Sequence, residues 1–491
     1  MMRNKLHEAL NEIQDRHISD AARAARRSPR ILWLGTIAAV LAACILIGML
    51  HTQKEPLPVL QHTQPISTTE KLPASVNLVN LVASKEYPKM AAFPNYTGNI
   101  SNEAYSAAYD IWVASQKAQY NQPTGYADSL TNFFIRSIPE VLKEDGNQAF
   151  SPLNVYMALV MLAEITEGQS RQQILEFLGA DSIENLRTQA GHIWNAHYSA
   201  DGLTSTVLAN SVWLDDAYTF RQETVDRLAN SHYAAVFHGN LGTKELNQQL
   251  GSWLNQQTGG LLEKQAENAA LHPDTVFALA STVHFHADWD TGFSGKNTKE
   301  NLFHCASGDV SVAFMNSVRS STYYWSENFG AVCLELSGNN CMWLILPDEG
   351  FCVSDILKTD AYLRLIMDPA KWENQKKCMI DLSLPKFDVS SQTDLAESLQ
   401  TLGITDIFDC SISDFTPITE SPGLFVNKID HAVRVSIDEA GVAAAAYTVI
   451  ATPSNPRPPT DEIAFILDRP FLFVISSQDQ LPLFAGTVRE P

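Results

Sequence analysis

Charged residues are scarce in this sequence of 491 residues, and basic residues are the scarcer kind. Charged side chains make up 18%, and 34 Lys and Arg stand against 55 Asp and Glu, for a net charge of −21. Average soluble domains contain about 25% charged residues. So few cations argue against a nucleic-acid-binding protein, which needs a basic face for phosphate contact. The 45% of apolar residues argues against a disordered chain.

The sequence also lacks the short motifs that mark common enzyme sites. It contains no GxSxG nucleophile elbow, no HExxH zinc motif, no P-loop and no GxGxxG dinucleotide motif. The best metal-site candidate is the pair His284 and His286, which share one face if the segment is a strand. A strand that runs into a surface turn explains the same residues, and the spacing implies no third ligand. We therefore predict no enzyme, no metal site and no cofactor.

Cysteines are few and show no metal-binding spacing. One of the seven, Cys44, lies in the apolar segment described next. The other six are Cys305, Cys333, Cys341, Cys352, Cys378 and Cys410. Six thiols allow fifteen disulfide connectivities, and none has the CxxC spacing of a zinc site. The sequence leaves open whether they form disulfides or remain free, mostly buried thiols.

Residues 31–50 are twenty consecutive uncharged residues near the N-terminus. As a helix this segment is about 30 Å long, which matches the hydrocarbon core of a bilayer. Residues 1–30 carry seven basic and four acidic side chains. The positive-inside rule therefore predicts a cytoplasmic N-terminus and an extracellular region from residue 51. Residues 41–44 also resemble a lipobox, so lipidation at Cys44 is the alternative anchor.

Three parts follow the apolar segment. Residues 51–75 contain four prolines and no amphipathic period, which is typical of a stalk. Helical signals over residues 76–125 predict an N-terminal helical extension. Residues 126–491 are continuous globular sequence and are predicted to form one domain.

Helical periodicity occurs mainly in the first half of that domain. Residues 154–166 are apolar nearly all round, as in a buried helix. Residues 393–403 predict a later helix, with Thr393 as N-cap and Gly403 as the stop.

Strand patterns occur mainly in the second half. Residues 379–389 alternate, with Ile380, Leu382 and Leu384 on one face. Residues 471–476 and 482–488 predict a buried hairpin. Because helices and strands do not alternate regularly, the predicted fold class is α+β.

The segment 438–460 has two halves of opposite character. Residues 441–446 (GVAAAA) are small and uncharged, so they can pass between strands with little steric conflict. Residues 453–459 hold four prolines, which favour an extended, exposed chain of the kind that a protease cleft binds. The segment thus combines a cleavable half with an insertable half. Composition alone fits an Ala-rich helical turn followed by a linker as well.

Seven motifs in residues 126–491 resemble the serpin family, in that family's order. They are FSPLN at 150–154, HFHADWDTGF at 284–293, LPKF at 384–387, LGITDIF at 402–408, the hinge DEAGVAAAAYT at 438–448, Pro470-Phe471, and LPLFAGTVREP at 481–491. His431 stands where serpins carry a histidine under the central sheet.

The resemblance implies a serpin fold with three β-sheets, about nine helices and an exposed reactive-centre loop. It implies a suicide mechanism, in which a protease cleaves the loop and the freed hinge inserts as a strand into the central sheet. The implied partners are extracellular serine proteases, with cysteine proteases as a second class, and the expected state is a monomer. The hinge positions carried over are Glu439, Gly441, Val442, Ala443, Ala444, Ala445, Ala446 and Thr448. The resemblance also implies two regions of the central sheet that control insertion, which are called the shutter and the breach in this family. The positions carried over for them are Ser151, Asn154, Ser281, Trp289 and His431.

Three positions depart from the family pattern. Val442 replaces the usual threonine, and Tyr447 is bulkier than expected. On insertion Val442, Ala444, Ala446 and Thr448 would point inward and Tyr447 outward, so the hinge is predicted to be competent. Ser281 stands where most members have an asparagine that hydrogen-bonds the histidine matched by His431. Because serine can still donate or accept, we expect a weakened contact with His431.

The sequence leaves several candidates for the scissile bond. The family register counts seventeen residues from Glu439 and ends at Asn455, before Pro456. A proline after the bond resists most serine proteases, so three other bonds stay open. These are Ile450–Ala451, Ala451–Thr452 and Ser454–Asn455, whose residues suit elastase- or subtilisin-like proteases. The predicted function is a membrane-tethered inhibitor of such enzymes, and the alternative is a non-inhibitory serpin that serves as a surface binding module.

Overall fold

The structure is a computed structural model that describes residues 80–94, 101–263, 269–442 and 459–491. The predicted tail 1–30, membrane segment 31–50 and stalk 51–75 therefore lie outside the described residues. Within the described ranges, no helix has the length and apolar character needed to cross a bilayer.

The described ranges contain ten α-helices and seventeen strands. The helices are α1 (Asn102–Tyr120), α2 (Leu130–Val141), α3 (Pro152–Ile165), α4 (Gly168–Leu178), α5 (Ile183–His197), α6 (Gln222–His232), α7 (Lys244–Gln257), α8 (Val353–Leu357), α9 (Ala361–Met367) and α10 (Ala396–Thr401). The first nine strands are β1 (Leu81–Ala83), β2 (Gln148–Phe150), β3 (Ser199–Ala200), β4 (Thr204–Asp215), β5 (Ala234–Gly239), β6 (Phe277–Asp288), β7 (Lys299–Cys305), β8 (Gly308–Trp325) and β9 (Phe329–Leu336). The remaining strands are β10 (Asn340–Pro347), β11 (Gln375–Pro385), β12 (Asp388–Asp394), β13 (Asp430–Ser436), β14 (Gly441–Val442), β15 (Glu462–Ile466), β16 (Phe471–Ser476) and β17 (Pro482–Val488). Three sheets are present, as expected, and nine of these ten helices lie within residues 126–491.

The central sheet has the strand order β1-β5-β4-β6-β14, with β3 paired to β4. Strands β4 and β6 pair over their whole length, from Thr204 opposite Ala287 to Leu214 opposite Phe277. The helix α3, nearly all of which is buried, packs on one face of this sheet. The helix α7 covers the other face, where Leu250 packs with residues of β4 and β5.

A cleft separates the central sheet from β12 and β13, which form a two-stranded sheet of their own. Between described residues, the second edge of β6 is paired only at Ala287 and Asp288, its last two positions. The remainder of this edge faces the cleft without a partner strand from the described ranges. The sheet can therefore accept another strand at this place.

The third sheet has nine strands in the order β15-β11-β8-β9-β10-β16-β17-β2, with β7 paired to β8. The predicted hairpin is confirmed, because β16 and β17 pair antiparallel over 471–476 and 482–488. The alternation seen over 379–389 is also confirmed, since Ile380, Leu382 and Leu384 are buried on β11. That segment nevertheless splits after Pro385 into two strands that belong to different sheets.

The predicted helix 393–403 is shorter than expected. Thr393 is not its N-cap but a strand residue of β12, paired with His431. Thr393 does not cap the helix because its backbone is paired within β12. The Asp394 carboxylate instead accepts the Ala396 N–H at 3.0 Å, just before α10 begins. Gly403 has a φ of +102°, which ends the helix as predicted.

The described part of residues 76–125, for which the sequence predicts a helical extension, contains the strand β1 as well as the helix α1. This strand adds to the edge of the central sheet through Leu81 opposite Phe237. The following helix α1 is held by Trp112, whose indole donates to the Asp201 carboxylate at 2.8 Å. Tyr87 packs against the Trp194 ring at 5.7 Å. Residues 80–94 and α1 thus pack on the folded domain.

One disulfide, between Cys333 and Cys341, joins β9 to β10 with a Cα–Cα distance of 6.0 Å. The other described cysteines are free, and two of them, Cys352 and Cys410, are exposed. The sequence left open whether these cysteines form disulfides or remain free and mostly buried. One pair forms a disulfide, and the other described cysteines are free but not mostly buried.

A buried carboxylate, Glu164, ties α3 to α5 and α6. It is 1% exposed and accepts hydrogen bonds from Arg187 at 2.7 and 2.8 Å. His232 lies 3.1 Å from the same carboxylate. Burial alone would raise the pKa of Glu164, but the hydrogen bonds of His232 and Arg187 outweigh it and lower this pKa to about 2.

Candidate functional site

The hinge enters the central sheet at the upper end of β6. Gly441 pairs with Asp288 and Val442 with Ala287, while Val442 also forms a bridge with Ile437. A Cβ on Gly441 would lie 2.3 Å from the Ala287 carbonyl oxygen. Only glycine fits this close backbone approach. Gly441 and Val442, the first two residues of the small-residue run 441–446, therefore already form a short strand at the entrance of the cleft between β6 and β13.

Trp289 holds the residues that precede this strand. Its indole N–H donates to the Asp438 carbonyl at 2.8 Å, and its backbone N–H donates to the Ala440 carbonyl at 2.8 Å. The Phe293 N–H donates to the Glu439 carbonyl at 3.0 Å. Trp289 thus holds the backbone of the hinge through two hydrogen bonds, and Phe293 adds a third.

The side chain of Glu439 is bound by two residues that are distant in the sequence. Lys386 lies 2.5 Å from one carboxylate oxygen, and the Thr298 hydroxyl donates to the other at 2.7 Å. Burial opposes ionisation, but these hydrogen bonds outweigh it and hold the pKa of Glu439 below its usual range. The carboxylate is therefore charged, and it links the hinge to the end of β11.

Two carboxylates, Asp288 and Asp438, flank the hinge strand. Asp438 accepts the Ala440 N–H at 2.8 Å and the Gly441 N–H at 3.3 Å. Asp288 is 8% exposed, and one of its oxygens has no hydrogen-bond partner among the described residues. Burial, together with the charge of Asp438, raises the pKa of Asp288 to about 6. The carboxylates of Asp288 and Asp438 thus repel each other at the place where the hinge enters the sheet.

The shutter residues cluster below the hinge. His431 is buried, and its Nε2 accepts the Ser151 N–H at 3.1 Å, while the Ser151 hydroxyl donates to the Leu483 carbonyl at 2.8 Å. Burial lowers the pKa of His431 to about 4, so the ring is neutral at neutral pH. The ring also meets Phe150 edge to face at 5.4 Å.

Ser281 does not make the contact expected of it. Its hydroxyl hydrogen-bonds the side chains of Asn154 and of Asn210, the latter at 2.8 Å. Among described residues no hydrogen bond joins Ser281 to His431. The cleft separates their strands, and the serine side chain is shorter than the asparagine of most members.

The segment that follows α7 crosses the cleft. The His284 ring donates to the Thr258 carbonyl at 3.2 Å, and the Arg434 guanidinium donates to the Leu261 carbonyl at 3.0 Å. We call residues 258–261 the strap, because they are bonded to β6 on one side and to β13 on the other. The strap lies on the α7 face of the sheet.

The histidine pair considered for metal binding has a structural explanation. Burial lowers the pKa of His284 and also that of His286, and His284 serves the strap. The described part of the chain contains no group of three or more His, Cys, Asp or Glu side chains arranged to hold a metal ion.

Comparison with known proteins agrees with this arrangement. Residues 128–491 match the family model for serpins, the serine protease inhibitors. The chain belongs to the serpin family. It is 26% identical over 402 residues to alpha-1-antiproteinase 2 of Equus caballus, covering 79% of this chain and 91% of that protein. It is 26% identical over 391 residues to human serpin B4, covering 74% and 99%.

Solved structures give the same family. The native state of the thermophilic serpin tengpin superimposes with a TM-score of 0.67 and 26% identity, over 76% of this chain and 95% of tengpin. Serpins are in general protease inhibitors rather than enzymes. This agrees at a coarse level with the prediction that the chain is not an enzyme.

Most of the reactive-loop predictions for this serpin lie outside the described residues. These are the hinge positions Ala443, Ala444, Ala445, Ala446 and Thr448, and the scissile-bond candidates Ala451, Thr452, Ser454, Asn455 and Pro456. Glu439, Gly441 and Val442 are described, and they lie together with Trp289 at the breach. Ser151, Asn154, Ser281 and His431 lie at the shutter.

Sequence reasoning missed the partners of the hinge. Lys386 stands in the LPKF motif, but nothing in its local pattern indicates Glu439 as its partner. The same holds for Thr298 and for the carboxylate pair Asp288 and Asp438. The strap was also missed, because its two hydrogen bonds join residues that are distant in the sequence.

Proposed function

We propose that this serpin is a membrane-tethered, extracellular suicide inhibitor of serine proteases of the elastase or subtilisin type. A protease would attack the reactive loop and form an acyl-enzyme. The freed hinge would then insert into the cleft beside β6 and carry the protease along the sheet.

The observation that carries this proposal is the strand β14. Gly441 and Val442 already occupy the entrance of the cleft, and below them the edge of β6 is unpaired among the described residues. Each further residue that inserts would add ladder hydrogen bonds on both sides. Ala443 to Ala446, the next four residues, have little side chain to obstruct this entry.

The register at the hinge supports insertion further down. The pairs Gly441–Asp288 and Val442–Ile437, extended along an antiparallel ladder, bring Thr448 opposite both Ser281 and His431. Among the described residues, no hydrogen bond joins Ser281 to His431 directly. A threonine hydroxyl can donate and accept, so Thr448 is suited to bridge them.

The extracellular location and the anchor rest on different observations. The disulfide Cys333–Cys341 is typical of proteins in oxidising compartments. Residues 31–50 provide an uncharged segment of membrane-spanning length, with arginines on its N-terminal side. The protease class rests on the small and β-branched residues 450–455.

The test is to mix the full-length chain, in detergent, with pancreatic elastase and with subtilisin. We expect an SDS-resistant complex of the size of serpin plus protease. Mass spectrometry of the loop fragment then identifies the bond. If every protease yields only cleaved serpin, the inhibitory function is refuted and the surface binding module is favoured.

The anchor is tested separately. We expect the chain to remain in membranes after carbonate extraction, and external protease to digest residues beyond 51 on intact cells. The matched variant Cys44→Ser leaves an anchor helix in place but removes a lipid attachment site. Release of this variant from membranes would favour lipidation, and release of the unaltered chain would refute the anchor.

A further inference from the structure

A cavity of about 750 Å³ lies at the lower part of the cleft, and residues on both faces of the sheet line it, Leu159 and Leu162 of α3 on one face and residues of α7 on the other. Its lining on the α7 face includes Leu250, Leu254, Ala280, Thr282, Gln392 and Ala432. The Thr282 hydroxyl is buried and has no hydrogen-bond partner among the described residues. The site is thus mostly apolar, large enough for a bulky side chain or a small ligand, and not filled by the described residues.

The hinge register identifies the residue that would reach this cavity. Extending the pairs Gly441–Asp288 and Val442–Ile437 brings residue 447 opposite Thr282 on β6 and opposite Ala432 on β13. Both are cavity-lining residues, and the two ladders agree on the same position.

Strand alternation identifies the face. Val442 is buried in the main core, so even-numbered inserted residues face that core and odd-numbered ones face α7. Thr282 pairs with Ala209, which belongs to the apolar cluster under α7. Residue 447 would therefore project into the cavity on the α7 face.

We propose that this cavity is the seat of Tyr447 in the inserted state, so that Tyr447 is a positioning residue of the inhibitory mechanism. The inference rests on the proposed insertion and goes beyond it. It explains why a bulky residue stands in a run that is otherwise small. The neighbours Ala280 and Ala432 leave room for a ring, and Leu250 and Leu254 of α7 would cover it.

The strap explains the order of small and large residues in the loop. The same register brings Ala445 opposite His284 and Arg434, the two residues to which the strap is bonded. A methyl side chain suits the narrow space beneath the strap. Tyr447 follows on the next outward position, below the strap, where the cavity begins. Once seated there, the ring would oppose withdrawal of the strand.

The experiment compares intact and loop-cleaved protein. The full-length chain and the variants Tyr447→Ala and Tyr447→Phe are cleaved with subtilisin, and mass spectrometry verifies a cut after residue 447. Thermal unfolding is followed in a constant concentration of guanidinium chloride. We expect the cleaved forms of the unaltered chain and of Tyr447→Phe to gain stability equally, because the ring is what fills the seat. The gain of Tyr447→Ala should be smaller by about 5 °C.

A second measurement reports on the seat itself. Leu254→Ala and the double variant with Tyr447→Ala complete a double-mutant cycle. We expect non-additive losses in the cleaved form, where the two side chains meet, and additive effects in the intact form.

The outcomes separate the two hypotheses. If cleavage does not stabilise the unaltered chain, the proposed function and this inference both fail. If cleavage stabilises the unaltered chain and Tyr447→Ala to the same extent, with additive effects at Leu254, insertion stands and the seat is refuted.

Discussion

Val442→Arg tests the hinge most directly. Val442 is 3% exposed, it is part of the main core, and it pairs with Ala287 at the entrance of the cleft. The replacement puts a guanidinium where a small apolar side chain is buried. The carboxylates Asp288 and Asp438 cannot compensate it, because they flank Gly441 on the opposite face of the sheet.

The magnitude follows from two costs. Loss of the buried valine costs about 1.5 to 2 kcal/mol, and an unpaired buried charge costs several kcal/mol more. In the variant we expect residue 442 to leave the sheet before cleavage, so that insertion has to bury the arginine again. If about 3 kcal/mol of this cost is felt in the transition state for insertion, the step slows by about a hundredfold. Deacylation would then be faster than insertion. The variant should be cleaved as a substrate rather than trap the protease.

The assay is the stoichiometry of inhibition with the protease that forms a complex with the unaltered chain. We expect the amount of serpin consumed per protease to rise at least about tenfold, with loss of the SDS-resistant band. Val442→Thr, nearly equal in volume and usual in the family, is the matched control and should behave like the unaltered chain. Undiminished complex formation by Val442→Arg would refute the insertion mechanism as we describe it.

Three further predictions concern stability. Glu439→Gln should lower the unfolding temperature at pH 7, because the ion pair with Lys386 is lost. Since the folded pKa of Glu439 is below its usual value, this difference is present above the unfolded pKa and vanishes as the pH falls; a difference that persists in acid would contradict the ion pair. Cys333→Ser should cost about 2.5 kcal/mol by opening the short loop to Cys341, measured by denaturant unfolding, and an unchanged midpoint would exclude the disulfide. Glu164→Gln should cost about 3 kcal/mol at pH 7, because it leaves the half-buried Arg187 and the buried His232 without the carboxylate that they contact. Because the folded pKa of Glu164 is about 2, the deficit should shrink as the pH falls from the unfolded pKa towards 2, and calorimetry at several pH values checks it.

Local patterns predicted elements where one physical signal dominates. The hairpin of β16 and β17 follows from two apolar runs around a polar turn, and both runs are buried. The alternation along β11 likewise predicted which side chains are buried. In these segments the hydrophobic pattern along the chain is enough to predict which side chains are buried, and the tertiary packing agrees with that prediction.

Local patterns failed where two signals compete. Thr393 has the chemistry of an N-cap, yet it pairs with His431 as a strand residue, and Asp394 precedes the helix instead. Ser281 has the chemistry to contact His431, but the separation of β6 from β13 directs its hydroxyl to Asn154 and Asn210. In the first case backbone pairing with a distant strand outweighed the local preference. In the second, the contact that the family resemblance implied is absent among the described residues because the two strands are apart.

The family resemblance and the small, uncharged character of the hinge can be read from the sequence alone. These follow from the chemistry of adjacent residues. Tertiary packing is needed to see that the hinge has already entered the sheet, that Ala287 leaves room only for glycine at position 441, and that Lys386 and Thr298 hold Glu439. It also decided which two cysteines pair, and that the cleft contains a cavity below the strap. Each of these depends on which distant segments meet, because strand register and side-chain partners are set by the packing of the whole domain.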